Sequence, residues 1–475
     1  MDIGTANNPL RVAIIGSGPS GFYAAERLQK ESDLHVAIDM FDRLPTPFGL
    51  VRGGVAPDHP KIKSVTKVYE RIASKPGFRF FGNVEFGRNV TRADLIQYYH
   101  AIIYSTGAQT DRTMDIPGEA LPGSYAATEF VGWYNGHPDY RNYDFGLSSA
   151  RAAAVVGVGN VAMDVARILG RTREELLETD IADYALDELT TSTIETIYIF
   201  GRRGPAQAAF TNPEIKELGA MAGTDLIIDP ADLELDFYSQ AYLESDQVDK
   251  KDLRNVEIMR ELAQRQPTGA PRKIVLRFLV SPVEIIGSDH VEAVKIVHNE
   301  LYEDERGRIR PRATDKTEII PVDLVFRSVG YYGVALPDVP FYEPWGVIPN
   351  ESGRVLTEFG SETFVTGDYV AGWIKRGPSG VIGTNKPDSV ETVENLLQDV
   401  RAGKHHSPEY VMEEDIITLL NTRGIQYVTF DQWQVLDQIE QTRGAEQGRP
   451  RVKFYSVNAM LKAIMSNKES EPLNE

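Results

Sequence analysis

Two short apolar runs, each passing straight into a glycine turn and then a helix-forming stretch, limit this chain to few folds. The first is Arg11–Val12–Ala13–Ile14–Ile15, leading into Gly16, Gly18, Pro19 and Gly21. The second is Ala152–Ala153–Ala154–Val155–Val156, leading into Gly157, Gly159 and Ala162. Runs of this length suit buried parallel strands. The helices that follow place Tyr23, Ala24, Ala25 and Leu28, or Val161, Val165, Ala166 and Leu169, on an apolar face. Doubly wound α/β sheets begin in this way. The fold expected is α/β, with two nested Rossmann-like dinucleotide-binding domains. Three further strands are read as ending at glycine: Ala101–Tyr104 before Gly107, Leu324–Phe326 before Gly330, and Thr363–Thr366 before Gly367 and Asp368. Ligands of open parallel sheets lie at the carboxyl ends of strands, so these turns are expected to share one crevice. The second α/β unit, 108–329, is read as inserted into the first, which comprises 1–107 and 330–465 with a C-terminal extension. The polar tail 466–475 reads as disordered.

The turns also carry chemistry. In Gly16-x-Gly18-x-x-Gly21, the first glycine permits a tight turn and the second a close approach of backbone amides to a pyrophosphate. The third lets helix and strand pack closely, and the helix N-terminus favours negative charge. The next strand, Val36–Ala37–Ile38, leads to Asp42, an acid placed to accept hydrogen bonds from a ribose. In the second turn alanine occupies the packing position, and the following strand, Ile197–Phe200, ends in Gly201–Arg202–Arg203. Paired arginines there suit a 2′-phosphate, through bidentate, charge-assisted bonds. Opposite charges after the two turns imply two nucleotides: FAD in the first and NADP(H) in the second, with hydride passing between their rings.

Composition supports this by exclusion. The chain has no cysteine, so disulfides, thiolate-ligated clusters and dithiol redox chemistry are excluded, and no metal site is expected. A formal charge of −19 argues against general binding to nucleic acid or anionic membrane. No apolar segment approaches the ~20 residues of a membrane span, and a cytoplasmic location is expected.

Longer segments go further. They are Pro47–Phe48–Gly49–Leu50–Val51–Arg52, Gly54–Pro60, Phe130–Gly136, Gly159–Arg167, Gly201–Pro205 and Gly372–Ile382. Through them the chain resembles the adrenodoxin-reductase-like ferredoxin–NADP reductases, over nearly its whole length. The resemblance implies that Asp42 stands where an acid, usually Glu, holds the FAD ribose. Gly49, Leu50 and Trp373 would line the flavin, with the amides of Gly380, Val381 and Ile382 on the flavin or nicotinamide. Asn160 and Val161 would meet the NADP pyrophosphate, Arg202 and Arg203 its 2′-phosphate. His59 and Glu214 would be a polar pair lining the nicotinamide pocket, although Pro213 makes the placement of Glu214 less secure. The implied partner is a small acidic iron–sulfur ferredoxin, docking through a basic stretch that includes Lys250, Lys251 and Arg254. Glu257 and Glu261 lie among those cations, so a solvated mixed-charge helix is the competing interpretation. Two other functions compete: a nucleotide-binding redox sensor without turnover, and an NADPH-dependent flavin oxidase or monooxygenase.

Overall fold

Leu10–Ile15 is buried along its whole length and forms an interior strand of a seven-stranded sheet. Val36–Phe41 and Ala101–Tyr104 flank it in parallel. Beyond them lie Phe78–Phe81 and Phe364–Val370, also parallel to their neighbours. Arg354–Leu356 and Asn350–Glu351 close one edge as antiparallel strands. The structure, a computed structural model, describes residues 3–470. It divides into two units: one comprises the chain up to Val55, His59–Thr110 and the chain from Tyr331 on, and the other Ala56–Asp58 with Asp111–Gly330.

In the first unit one expected strand end is corrected. Phe364–Val370 runs through Gly367 and Asp368, with Asp368 opposite Ile102, below the carboxyl edge of the sheet. The Asp368 carboxylate is buried and takes hydrogen bonds from Arg92 Nε at 2.7 Å and Tyr104 Oη at 3.0 Å, with His406 Nε2 also at 3.0 Å. Gly367 has φ +80°, and a Cβ there would come within 2.6 Å of the His406 ring. Both residues therefore lie within the strand, not after its end.

The opposite end of the sheet holds a pH-sensitive group. The His100 Nδ1 accepts the Arg11 amide at 3.0 Å. Burial, then His405, Arg11 and His406, push the His100 pKa down to about 4. A depressed histidine adds stability that is present above the unfolded value, ~6.5, and lost as pH falls through the folded one. Acidification from pH 7 to 4 therefore removes up to about 3 kcal/mol through this residue. Urea midpoints across that range should fall less steeply for His100→Asn; equal slopes would refute the assignment.

The C-terminal extension packs on the same unit. Trp433, on the helix Phe430–Glu446, meets Phe48 edge-on with ring centroids 5.8 Å apart. A final helix covers Val457–Ser470, so residues 466–470 of the tail expected to be disordered are helical. Residues 471–475 lie outside the described residues.

The second unit has a six-stranded parallel sheet in the order Ser124–Ala126, Leu324–Arg327, Ala152–Val156, Thr196–Phe200, Arg272–Arg277, Thr224–Ile228. Arg272–Arg277 is thus parallel to both its neighbours, and antiparallel pairing starts at Val280. From there Val280–Ile286, Ala293–Glu303 and Ile309–Pro321 form a three-stranded sheet. Its long hairpin turns at Asp304–Arg308, where the Asp304 carboxylate accepts the Arg306 and Arg308 amides. Among the described residues no helix is long and apolar enough to cross a membrane.

Candidate nucleotide sites

In the first unit the turn after Ile15 is fixed by contact. A Cβ on Gly16 would lie 2.6 Å from the Ser105 carbonyl oxygen, and one on Gly21 would lie 2.4 Å from the Gly16 carbonyl. At Gly18, the N-cap of Pro19–Leu28, a Cβ would meet nothing within 4 Å. The middle glycine thus opens onto free space at a helix N-terminus, as a pyrophosphate cradle requires.

Two loops converge on that helix start. Phe48 donates its amide to the Ser17 carbonyl at 3.0 Å, and a Cβ on Gly49 would reach Gly18 Cα at 2.9 Å. On the other loop a Cβ on Gly372 would lie 2.1 Å from Ser20 Oγ. The Gly372 amide donates to Asp388 at 2.6 Å, and Ser20 Oγ bonds Asn385 Oδ1 at 3.1 Å. The Trp373 indole donates to the Ser379 carbonyl at 3.2 Å, and its ring lies 5.3 Å from that of Tyr331. Leu50 is 38% exposed and Val381 55%. Exposed apolar side chains around an open glycine turn fit a large flat ring with a pyrophosphate. Gly380, at φ +78°, and Ile382 continue the same loop, while Gly107 follows the Ala101–Tyr104 strand at φ +72°.

Asp42 is more committed than expected. Its Oδ2 accepts the Ser17 amide at 3.0 Å and the Ser17 hydroxyl at 2.5 Å, and its Oδ1 accepts the Leu44 amide at 2.9 Å. The short acid braces the glycine turn itself.

The second unit repeats the cradle with the opposite charge. A Cβ on Gly157 would lie 2.3 Å from the Ser328 carbonyl, whereas one on Gly159 would meet nothing within 4 Å. Gly159 caps the helix Asn160–Gly170; Asn160 Oδ1 accepts the Thr211 amide at 2.9 Å, and Val161 packs partly buried against the core. Arg202 is exposed and Arg203 half-buried. Burial pushes the Arg203 pKa below its ordinary value, and the charges of Arg202 and Arg310 add to that against a weaker pull from Asp252. Such a cluster is electrostatically ready for an anion. Its backbone is fixed from outside the turn. Val280 donates its amide to the Gly201 carbonyl at 3.0 Å and Leu279 to that of Arg203 at 3.1 Å. The Asn299 side-chain amide donates to the Arg202 carbonyl at 2.9 Å.

His59 and Glu214 belong to different units. His59 caps the short helix Pro60–Lys63. Glu214 lies in the first turn of Asn212–Leu218, where Pro213 occupies a start position that needs no amide. Glu214 is buried and accepts from Arg167 Nη1 at 2.9 Å. The fully buried Arg167 also binds Asp58 through Nε at 2.6 Å and Asp164 through Nη2 at 2.5 Å. Lys250, Lys251 and Arg254 share the helix Lys250–Ala263, but Arg254 pairs with Glu257 at 2.7 Å and Glu261 at 3.5 Å, and Lys251 with Asp252 at 2.8 Å.

Asp388, Arg167, Asn299 and Arg310 also contribute, without a motif of their own to mark the role. Of these, Asn299 left a trace: a polar residue stands at the alternate position between Val297 and Leu301.

Residues 10–198 match the family described as pyridine nucleotide-disulphide oxidoreductase. The NADPH-ferredoxin reductase FprA of Mycobacterium tuberculosis is 47% identical over 462 residues, covering 96% of this chain and 99% of that protein. The mitochondrial NADPH:adrenodoxin oxidoreductase of Arabidopsis thaliana is 36% identical over 468 residues, covering 96% of each. The solved structure of Mycobacterium tuberculosis FprA in complex with NADPH matches with a TM-score of 0.89 at 45% identity, covering 96% of this chain and 100% of that one.

Proposed function

The chain belongs to the adrenodoxin-reductase-like NADPH–ferredoxin reductases, and from that premise we propose that its first unit holds FAD and its second NADP(H). The protein is an oxidoreductase that passes the two electrons of an NADPH hydride through FAD to a ferredoxin. The observation that carries this assignment is the contrast between two open glycine turns, one backed by Asp42 and the other by the cationic Arg202–Arg203 turn. Bound FAD supplies what no side chain here can: acceptance of two electrons at once and their release singly.

The protein's own residues bind and orient. Gly16, Gly18, Pro19 and Gly21 present amides and a helix N-terminus to the FAD pyrophosphate. Asp42 holds that turn in shape through Ser17, and a remaining lone pair on its carboxylate would accept a hydrogen bond from the FAD ribose. Gly49, Leu50 and Trp373 wall the flavin, Gly107 borders it, and the backbone of Gly380, Val381 and Ile382 offers donors to it. Gly157, Gly159, Asn160 and Val161 cradle the NADP pyrophosphate, and Arg202 with Arg203 binds the 2′-phosphate. His59 and Glu214 would serve the nicotinamide as polar side chains, and Arg167 holds the Glu214 side chain in place by donating to it. With no cysteine in the chain, the disulphide chemistry in the family's description has no counterpart here. A cytoplasmic location belongs to the same proposal.

The ferredoxin is proposed to be a small acidic iron–sulfur protein that docks near Lys250, Lys251 and Arg254. Because Glu257 and Glu261 already screen Arg254, the docking contribution is small and sensitive to salt. Purified protein should be yellow, bleach within seconds of anaerobic NADPH addition, and then reduce a ferredoxin. A yellow protein that bleaches without reducing any ferredoxin would exclude the reductase assignment. Lys250→Glu with Arg254→Glu should slow ferredoxin reduction about threefold and leave ferricyanide reduction unchanged; equal slowing of both would remove this helix from the docking surface.

A further inference from the structure

We propose that Arg310 is a third ligand of the NADPH 2′-phosphate and sets the preference for NADPH over NADH, carried to the nucleotide by the long hairpin rather than by the nucleotide fold. The proposal rests on the assignment of Arg202 and Arg203 to that phosphate.

The hairpin is tied directly to the arginine turn. Leu279 and Val280, at the start of its three-stranded sheet, donate amides to the carbonyls of Arg203 and Gly201. Asn299, on the middle strand, donates one side-chain amide to the Arg202 carbonyl at 2.9 Å and to Ser281 Oγ at 2.8 Å. The register of that strand shifts between Val297 and Asn299, which re-aims Asn299 at the turn. From Asn299 the strand runs on to Tyr302, which pairs with Arg310 on the return strand. Arg310 is close enough that its charge disfavours the charged form of Arg203.

Arg202 on the turn and Arg310 on the return strand both place unfavourable charge on Arg203, which an anion among them would relieve. The Arg310 side chain is 43% exposed and its Nε lies 3.3 Å from Asp304 Oδ2. Asp304 is shared with Arg308, whose Nε lies 2.9 Å away, so it neutralises neither arginine fully. A phosphate dianion between Arg202, Arg203 and Arg310 would accept charge-assisted bonds from all three. Arg310 thus retains donors for the nucleotide after pairing with Asp304.

The test is equilibrium binding of NADPH and of NADH to the holoenzyme, for Arg310→Ala, Arg308→Ala and the Arg202→Ala/Arg203→Ala double variant. Arg310→Ala should raise the NADPH Kd about five- to tenfold and change the NADH Kd less than twofold. Arg308→Ala, which removes the same charge from the same Asp304 pair, should leave the ratio of the two Kd values unchanged. An unchanged NADPH Kd in Arg310→Ala alongside a weakened double variant overturns the role of Arg310 and spares that of Arg202 and Arg203. If neither the double variant nor Arg310→Ala separates the two nucleotides, both assignments fall. Equal weakening of NADPH and NADH by Arg310→Ala, or a matching loss in Arg308→Ala, would show that the hairpin acts only through its fold or net charge.

Discussion

Replacing Arg202 and Arg203 together by alanine should raise the NADPH Kd by about two orders of magnitude and change the NADH Kd less than threefold. Each charge-assisted bond from arginine to phosphate contributes ~1.5–3 kcal/mol, and 1.4 kcal/mol is about a tenfold change in Kd. Two such bonds would give more than a hundredfold if fully buried. Arg202 is exposed, so solvent screening brings the estimate to the lower end. The selectivity follows from chemistry: NADH carries a 2′-hydroxyl, which offers these arginines no charge. Fold should survive, because the turn is held by backbone bonds from Leu279 and Val280 and by Asn299, none of which involves either guanidinium. Lysine substitutions sharpen the test. They keep the charge and lose the bidentate fork, so Arg202→Lys/Arg203→Lys should fall between wild type and the alanine pair. Titrations of flavin absorbance with each nucleotide would measure this. Equal losses for NADPH and NADH would withdraw the 2′-phosphate assignment.

What could be read in the sequence was local. The turns at Gly16–Gly21 and Gly157–Ala162 lie within single strand–helix units, and the role of each glycine follows from its immediate neighbours. The position of Arg202 and Arg203 was legible for the same reason, since they follow Gly201 just past a strand end. At Gly367 the expected strand end fails because a glycine after an apolar run need not break a strand that pairs on both sides. Pairing with Ala101–Tyr104 and the seat it makes for His406 carry that strand through to Val370. Asp42 was correctly placed at the end of its strand, yet its bonds to Ser17 depend on a side-chain length that spacing does not convey. The residues that escaped notice act across long sequence separations. Asn299 reaches Arg202 over 97 positions, and Arg52 reaches Glu440 over 388. Such pairs depend on how the whole unit closes.

Arg52 and Glu440 support the second large effect. Glu440→Ala should destabilise the first unit by about 3–5 kcal/mol, the usual cost of removing one partner from a buried ion pair, and speed FAD release on heating. Glu440 is fully buried, and burial alone would raise its pKa; Arg52 and Arg451, with the Phe454 amide, overturn that and hold it low. Its oxygens take Arg52 at 2.8 and 2.5 Å and the Phe454 amide at 2.8 Å. The Arg52 guanidinium also lies over the Trp433 ring, 5.0 Å from its centre. Both of its partners belong to the C-terminal extension, whereas Arg52 itself belongs to the loop that lays Gly49 against Gly18 and exposes Leu50. The extension therefore holds in shape the loop proposed to wall the flavin. Without Glu440 the Arg52 side chain is left beside Arg451 with no shared carboxylate, and the loop loses its anchor. Because a ligand that binds only the folded state stabilises it in proportion to its affinity, a loosened loop should narrow the stability gap between FAD-loaded and apoprotein. Flavin fluorescence on heating and urea midpoints with and without FAD would show both effects. A variant as stable as wild type that retains FAD to the same temperature would leave the C-terminal helices without this role.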